Sequence, residues 1–147
     1  MQELNFPTYQ FRRKLSGNME QIFDPVRKKW VKLTSEEWVR QNLIRYLNEE
    51  KRYPIGRMQV EKELMLNTLK KRSDLVIYDK TGERFLLAEC KAPEIKLSSG
   101  TFEQAARYNL TLKVPYLFIT NGLMHYCAKI NFDTQSFEIQ SDLPLAD

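Results

Sequence analysis

Two apolar runs on either side of a polar turn constrain the fold of this chain most. The runs span residues 72–78 (RSDLVIY) and 84–91 (RFLLAECK), and they are rich in the β-branched and aromatic residues that strands favour. The segment between them, 79–83, is polar and contains a glycine. This pattern predicts a β-hairpin, in which two neighbouring strands run antiparallel.

The length of the turn decides which residues of the two strands face each other. If residues 80–83 form the loop, Asp79 pairs with Arg84. The same register places Asp74 directly opposite Glu89. Side chains alternate between the two faces of a strand, so the face that carries these two acids is otherwise mostly apolar. The other residues predicted on this face are Val76, Tyr78, Phe85, Leu87 and Lys91.

Two carboxylates and an amine are therefore expected at one end of this face. Opposed carboxylates repel each other at a Cβ separation of about 5 Å. A divalent cation with oxygen ligands would relieve the repulsion between Asp74 and Glu89, and the Lys91 amine could then act on a metal-bound water. The alternative is a solvated sheet end on which Lys91 simply pairs with Glu89.

Chain length and charge set the expectations for domains and partners. With 147 residues and 42% hydrophobic content, the chain is expected to form one domain, 1–147. Residues 1–72 hold 16 basic and 9 acidic side chains, so this half is strongly basic. Its basic clusters could neutralise nucleic-acid phosphates, or they could be an ordinary solvated surface. The clusters are Arg12-Arg13-Lys14, Arg27-Lys28-Lys29 and Lys70-Lys71-Arg72.

Cysteine and histidine are too few to build a disulfide framework or a zinc site. Cys90, Cys127 and His125 have no metal-ligand spacing. Cys90 is expected to be a small buried core residue, and His125 to have a structural, hydrogen-bonded role. The N-terminus has no apolar signal-peptide stretch, and no run reaches the length of a membrane span. We therefore expect a cytoplasmic protein with no membrane partner.

The first half of the chain is predicted to contain an N-terminal arm or hairpin, a helix and a strand. Pro7, Gly17 and Pro25 interrupt residues 1–33, which we interpret as the arm or β-hairpin. The pattern Thr34-x-x-Glu37 is a capping box, and apolar residues follow it at helical spacing. The predicted elements after the arm are a helix over 35–49, a strand over 58–64 and a polar turn around Asn67.

The second half is predicted to continue with a helix and three strands. The helix runs over about 102–113 and ends at Pro115. The almost wholly apolar run 116–119 is typical of a central strand that is buried on both faces. Asn121-Gly122 is a turn signal, and strands are predicted at 125–130 and near 135–139. The order of elements predicts an α/β fold with a mixed central sheet flanked by helices.

Four signals in this order resemble the PD-(D/E)xK nuclease superfamily. They are an acid in the first helix, an Asp at a strand start, Glu-x-Lys on the next strand and Gln-x-x-x-Tyr on the following helix. More closely, four segments resemble the N-terminal domain of type I restriction enzyme R subunits. These segments are 23–30 (FDPVRKKW), 34–41 (TSEEWVRQ), 88–93 (AECKAP) and 120–122 (TNG). The resemblance implies a restriction-endonuclease-like αβββαβ core and DNA as the partner.

The resemblance also implies roles for individual residues near the hairpin end. Asp74 and Glu89 would be ligands of Mg²⁺ or Mn²⁺, with the backbone carbonyl of Cys90 as a further ligand. Lys91 would orient or deprotonate the attacking water and stabilise the developing charge. Glu37, in preference to Glu36 beside it, matches the helical acid that helps to hold the metal or positions Lys91.

Three further residues are candidates for binding the substrate. Gln104 and Tyr108 lie four residues apart and therefore on one helical face, and they match the Gln-x-x-x-Tyr motif. The resemblance implies that this motif contacts substrate near the active site. Arg72 belongs to the basic cluster just before Asp74, so it is a candidate for binding phosphate.

The chain departs from the family pattern in two ways. Ser73 stands where a proline usually precedes the first Asp. A type I R subunit also carries an ATP-driven translocase, and this sequence has no Gly-x-x-x-x-Gly-Lys-Ser/Thr phosphate loop. The expectation is a stand-alone relative, or a separate subunit that works with restriction-modification subunits or a separate motor protein.

Two functions follow from these residues. The leading interpretation is a Mg²⁺-dependent endonuclease-fold domain that hydrolyses phosphodiester bonds in DNA. The alternative is a non-catalytic DNA-binding or scaffold module of the same fold within a restriction-modification complex. The presence of Asp74, Glu89 and Lys91 together favours catalysis, because a pure binder needs no opposed carboxylates.

Overall fold

The computed structural model describes residues 1–66 and 69–147. The predicted polar turn around Asn67 therefore lies outside the described residues. Within residues 1–33, where the sequence predicts an arm or hairpin, an arm with no helix or strand precedes a three-stranded antiparallel sheet. The strands of this sheet are β1 (Arg13–Ser16), β2 (Met19–Asp24) and β3 (Lys29–Lys32).

The remaining elements follow the order of the predicted αβββαβ core. Helix α1 spans Ser35–Glu49 and helix α2 spans Ser99–Leu112. The strands of the central sheet are β4 (Met58–Leu66), β5 (Leu69–Tyr78), β6 (Arg84–Cys90), β7 (Tyr116–Thr120), β8 (His125–Asn131) and β9 (Ser136–Gln140). They lie side by side in chain order, and their pairing is antiparallel except between β6 and β7. The predicted α/β fold with a mixed central sheet is confirmed.

Helix α1 packs its apolar side on one face of the central sheet. The Thr34 hydroxyl accepts a hydrogen bond from the Glu37 N–H at 3.0 Å and so caps the helix. The apolar side chains that α1 buries completely are Val39, Leu43, Ile44 and Leu47. Each such side chain contributes about 1.5–3 kcal/mol to folding. The helix thus fixes the position of its polar side chains relative to β5 and β6.

Helix α2 covers the opposite face of the sheet. Phe102, Ala105 and Ala106 of this helix pack against Leu117 and Ile119 of β7. The residue between these two, Phe118, packs in the α1-side core, as side-chain alternation requires. Strand β7 is therefore buried on both faces, as its continuous apolar run predicts. Neither helix in the described ranges is long and apolar enough to span a membrane.

The β5–β6 hairpin keeps the predicted register over three pairs and then changes it near the turn. The three pairs are Leu75–Ala88, Val76–Leu87 and Ile77–Leu86. The next pair is Tyr78–Arg84, so the predicted pairing of Asp79 with Arg84 is wrong. The reason is a β-bulge, which leaves Phe85 as an extra residue in β6.

This bulge turns one side chain to the other face of the sheet. Phe85 was predicted beside Val76 and Leu87, but it packs on the α1-side core. Its ring centroid lies 6.1 Å from that of Tyr53 and 5.0 Å from that of Tyr116. The prediction for Phe85 fails because one inserted residue shifts the alternation by one position.

The N-terminal arm is tied to the turn that precedes β8. The Asn5 N–H donates to the Gly122 carbonyl at 2.7 Å, and the Asn5 carbonyl lies 2.7 Å from Nε2 of His125. The other ring nitrogen, Nδ1, shares a hydrogen bond of 2.7 Å with the Thr120 hydroxyl. His125 thus has the structural, hydrogen-bonded role that we expected from the sequence.

Gly122→Ala is expected to lower the free energy of unfolding by about 1–2 kcal/mol, because an L-residue is strained at positive φ. Gly122 has a φ of +89°, and a Cβ there would lie 2.7 Å from Cδ2 of Leu4. Urea unfolding followed by circular dichroism measures the change. Gly100→Ala is the matched control, since a Cβ there meets no atom within 4 Å. Equal losses in both variants would contradict the prediction.

Candidate active site

Asp74 lies in β5 one residue beyond the last β5–β6 pair, Leu75–Ala88. One of its carboxylate oxygens, Oδ2, accepts a hydrogen bond from the backbone N–H of Cys90 at 2.7 Å. The other, Oδ1, lies 3.3 Å from Nη2 of Arg40 on α1. The partly buried carboxylate is therefore held between the end of β6 and the first helix.

Glu89, next to last in β6, carries its carboxylate beside a lysine of the neighbouring strand. The hairpin ladder ends one step before the predicted pair of Asp74 with Glu89. Nζ of Lys71 in β5 lies 2.8 Å from Glu89 Oε1. The alternative expectation, in which Lys91 pairs with Glu89, is wrong because Lys71 takes that position.

Lys91 directly follows β6 and has a partly exposed side chain. Its backbone N–H donates to the Thr120 carbonyl at 2.9 Å, which ties it to the end of β7. In the part of the chain that the structure describes, no carboxylate oxygen lies within 4.0 Å of its ammonium nitrogen. No direct ion pair within this part of the chain neutralises the Lys91 charge.

Glu37 is buried in the first turn of α1 and is surrounded by donors. Its Oε1 lies 2.7 Å from both Arg27 Nη2 and Arg40 Nη1, and its Oε2 accepts from Gln41 Nε2 at 3.1 Å. Only half of the predicted capping box forms, because the carboxylate turns to the arginines and does not accept from the Thr34 N–H. Glu37 is therefore part of a buried ion-pair network.

Arg40 connects this network to the strand carboxylates. Its side chain is only 5% exposed, and it contacts Glu37, Asp74 and, at 3.7 Å, Glu61. Burial lowers the pKa of the Arg40 guanidinium, but the neighbouring carboxylates, Glu37 foremost, outweigh burial and raise the pKa. Glu37 was expected to hold a metal or position Lys91. In the structure, Glu37 contacts Arg40, and Arg40 in turn contacts Asp74.

Glu61 is a fourth carboxylate, and sequence reasoning did not identify it. It lies in β4 opposite Asp74, at the one step where the described β4–β5 ladder lacks a pair. Its φ of 54° is unusual for a residue other than glycine. Its carboxylate lies 3.5 Å from Arg27 and 3.7 Å from both Arg40 and Arg72. The arginines thus bridge carboxylates from α1, β4 and β5.

The three candidate substrate-binding residues lie in different surroundings. Gln104 is exposed on α2, whereas the ring of Tyr108 is partly buried and its centroid lies 4.3 Å from Nζ of Lys71. Arg72 is exposed, and its Nη1 lies 3.7 Å from Glu61 Oε2. Of the Gln-x-x-x-Tyr pair, Tyr108 is the residue that contacts a side chain of the central sheet, Lys71 of β5.

Sequence reasoning missed the cations that surround the carboxylates. Arg40 had one usable signal, since it lies three residues after Glu37 and among apolar helix positions that face the core. From the sequence, Lys71 and Arg27 could be identified only as members of basic clusters, and nothing assigned them to the candidate site. Glu61 had no signal, because its role depends on the pairing of β4 with β5.

The side chains near Asp74 fit Mg²⁺ by donor type. Carboxylates and backbone carbonyls are the oxygen ligands of this ion, which is often bound through one or two carboxylates with water and phosphate oxygens. No group of three or more Asp, Glu, His or Cys side chains is gathered as metal ligands among the described residues. The Cys90 thiol is buried, and burial raises its pKa well above the usual value, so only its backbone carbonyl is available as a ligand.

Comparison with known proteins links the fold to one family. Residues 35–144 match the family model described as the type I restriction enzyme R protein N terminus. This match covers more than half of the chain, from α1 to beyond β9. No curated protein sequence matches the chain.

A solved structure has the same fold over most of this chain. It is a fragment described as an HsdR subunit of a type I restriction enzyme from Vibrio vulnificus YJ016, with a TM-score of 0.52 and 17% sequence identity. The similarity covers 77% of this chain and 24% of that one, so the chain matches only a small part of the other protein. At this identity, the comparison shows a shared fold.

Proposed function

This chain belongs to the family of type I restriction enzyme R protein N-terminal domains, and from that premise we propose that it hydrolyses phosphodiester bonds in DNA with Mg²⁺. The observation that carries the proposal is the hydrogen bond from the Cys90 amide to Asp74, which ties the β5 carboxylate to the residue that Glu89 and Lys91 flank in sequence. The Cys90 amide holds the first carboxylate at 2.7 Å, and the second comes from the residue just before it.

Asp74, Glu89 and the backbone carbonyl of Cys90 would hold the metal ion. When bound, Mg²⁺ supplies positive charge beside the phosphoryl oxygens and lowers the pKa of a water that it binds. The protein would contribute to metal binding by holding each of the two carboxylates in a fixed orientation. Arg40 does this for Asp74, and Glu37 in turn holds Arg40 at 2.7 Å.

Lys91 would act on the attacking water and on the phosphate. The charged ammonium could orient the attacking water and offset the negative charge that develops on the phosphate. The neutral amine could instead take a proton from the water. Both roles need an amine that no carboxylate already holds. The absence of a Lys91 ion pair within the described residues supports this role.

The basic half of the chain would bind the DNA backbone. Lys28 is exposed in the β2–β3 turn and Lys29 at the start of β3, next to Arg27, whose guanidinium contacts the Glu37 carboxylate at 2.7 Å. Arg72 is exposed on the strand that carries Asp74. The exposed cations could neutralise phosphates on either side of the cleavage point. The exposed side chain of Gln104 is a further candidate contact to the DNA.

A cleavage assay tests the proposal. Wild-type protein with Mg²⁺ or Mn²⁺ is expected to nick or cut plasmid DNA, and EDTA should abolish this activity. Glu89→Gln keeps the size of the side chain but removes its charge, so cleavage should fall about 100-fold or more. Glu94→Gln, at an exposed position five residues later, is the matched control and should cleave like wild type. The absence of metal-dependent cleavage in wild type would overturn the proposal.

A second candidate function is a non-catalytic DNA-binding or scaffold module within a restriction-modification complex. Lys71 and Arg40 already compensate Glu89 and Asp74, which favours this alternative. Such a module would bind DNA with an affinity that falls steeply with added salt and that survives Glu89→Ala. Co-purification with a motor or specificity subunit would identify a scaffold. The family membership supports restriction-modification partners for either function.

A further inference from the structure

Lys71 is held by groups from two other elements of the fold. Its Nζ lies 2.8 Å from Glu89 Oε1 on β6 and 4.3 Å from the centroid of the Tyr108 ring on α2. The side chains of Lys71 and Glu89 are only 19% and 15% exposed. An ammonium between a carboxylate and an aromatic face has two attractive partners, and low exposure to water strengthens both interactions.

The preceding residue shows how different an ordinary surface pair is. Lys70 lies 3.5 Å from Glu63, and these side chains are 69% and 55% exposed. Exposed pairs of this kind contribute little to stability, because water and salt screen them. The contrast between adjacent lysines on one strand indicates that the position of Lys71 is set by its surroundings.

We propose that Lys71 is the resident counter-ion of Glu89, held by the Tyr108 ring, and that a divalent cation must displace it to bind Glu89. This inference rests on the proposed Mg²⁺ site. Two cations cannot both lie at the same carboxylate oxygen without strong repulsion at about 4 Å. Lys71 therefore lowers the affinity of the site for the metal ion.

The proposal also assigns a role to the tyrosine of the Gln-x-x-x-Tyr pair. Tyr108 holds the ammonium by its ring face, and its hydroxyl has no part in this interaction. The long lysine side chain can pivot away from Glu89 while it remains over the ring. Tyr108 is thus a positioning residue for Lys71, and any contact that it makes with substrate is separate from this role.

Calorimetric titration with Mn²⁺ alone, on the full chain without DNA, tests the inference. Lys71→Met removes the ammonium and keeps the length of the side chain, so the Mn²⁺ dissociation constant should fall about tenfold. Lys70→Met is the matched control and should leave the constant within about twofold of wild type. Tyr108→Leu should tighten binding to a smaller extent, whereas Tyr108→Phe, which keeps the ring, should not.

A stability measurement gives a second readout that does not depend on calorimetry. Without metal, Lys71→Met leaves the Glu89 carboxylate without its counter-ion, so the urea midpoint should fall below that of wild type. Mn²⁺ should then raise the midpoint of Lys71→Met more than that of wild type, because tighter binding stabilises more. A fold defect alone would lower the midpoint without tightening Mn²⁺ binding.

The outcomes separate this inference from the proposed function. If wild type binds Mn²⁺ and Lys71→Met binds it equally or more weakly, the role of Lys71 is overturned and the proposed metal site stands. If only Lys71→Met binds, the role of Lys71 is supported and the metal-dependent function of the native chain is overturned. Binding by neither protein overturns both. An unchanged constant in Tyr108→Leu overturns the role of Tyr108.

Discussion

Lys91→Met is expected to lower the rate of Mg²⁺-dependent DNA cleavage about 100- to 10,000-fold, the range that positioned proton-transfer groups contribute. Methionine has a similar length and shape but carries no charge and no ionisable proton. Because Lys91 is not expected to be a metal ligand, the Mn²⁺ dissociation constant should stay within about twofold of wild type. Single-turnover cleavage of a labelled duplex measures the rate, and calorimetry measures the metal affinity.

The control for this variant is Lys96→Met. Lys96 is exposed in the loop before α2, five residues beyond Lys91, so its replacement removes the same charge from a nearby surface. The control is expected to cleave at the wild-type rate. If Lys91→Met also cleaved at that rate, the role of Lys91 would be refuted. If it lost metal binding together with cleavage, Lys91 would instead maintain the geometry of Asp74 and Glu89.

Arg40→Met should lower the free energy of unfolding by about 3 kcal/mol, since removing one partner of a buried pair leaves the other charge uncompensated. Arg40 is 5% exposed and lies 2.7 Å from Glu37 and 3.3 Å from Asp74. Arg27 would still compensate part of the Glu37 charge. Urea unfolding at neutral pH measures the effect.

Arg13→Met supplies the comparison for a surface ion pair. Arg13 lies 3.9 Å from Glu20, and both side chains are exposed. Its replacement should change the free energy of unfolding by about 1 kcal/mol or less. A loss for Arg40→Met as small as this would mean that the buried network contributes little to stability.

Local patterns predicted the main elements of the fold closely. Helix α1 has the bounds that the capping pattern and the apolar spacing predicted, and β7 was recognised from its continuous apolar run. The prediction failed where one residue changed the alternation. The bulge at Phe85 depends on how the β5–β6 turn closes, and its aromatic partners, Tyr53 and Tyr116, lie about 30 residues away on either side.

Three residues of the candidate site could be grouped from the sequence, whereas Glu61, Arg40 and Lys71 could not. Asp74, Glu89 and Lys91 lie close together in sequence, so strand spacing alone could group them. Arg40 lies 34 residues from Asp74, and Lys71 lies 18 residues from Glu89. Such contacts depend on how α1 and β5 pack against the rest of the fold, and no local spacing encodes them.

The strand order of the central sheet also bears on how this chain reaches its native state. Strands β4 to β6 and strands β7 to β9 are each antiparallel and sequential, so both units can form through local loop closure. The units join at the parallel β6–β7 pair, which requires the α2 crossover and is intrinsically slower to form. Glu89 pairs with Ile119 at this junction, and Lys91 donates to Thr120. We therefore expect the junction that Glu89 and Lys91 contact to form after the two antiparallel units.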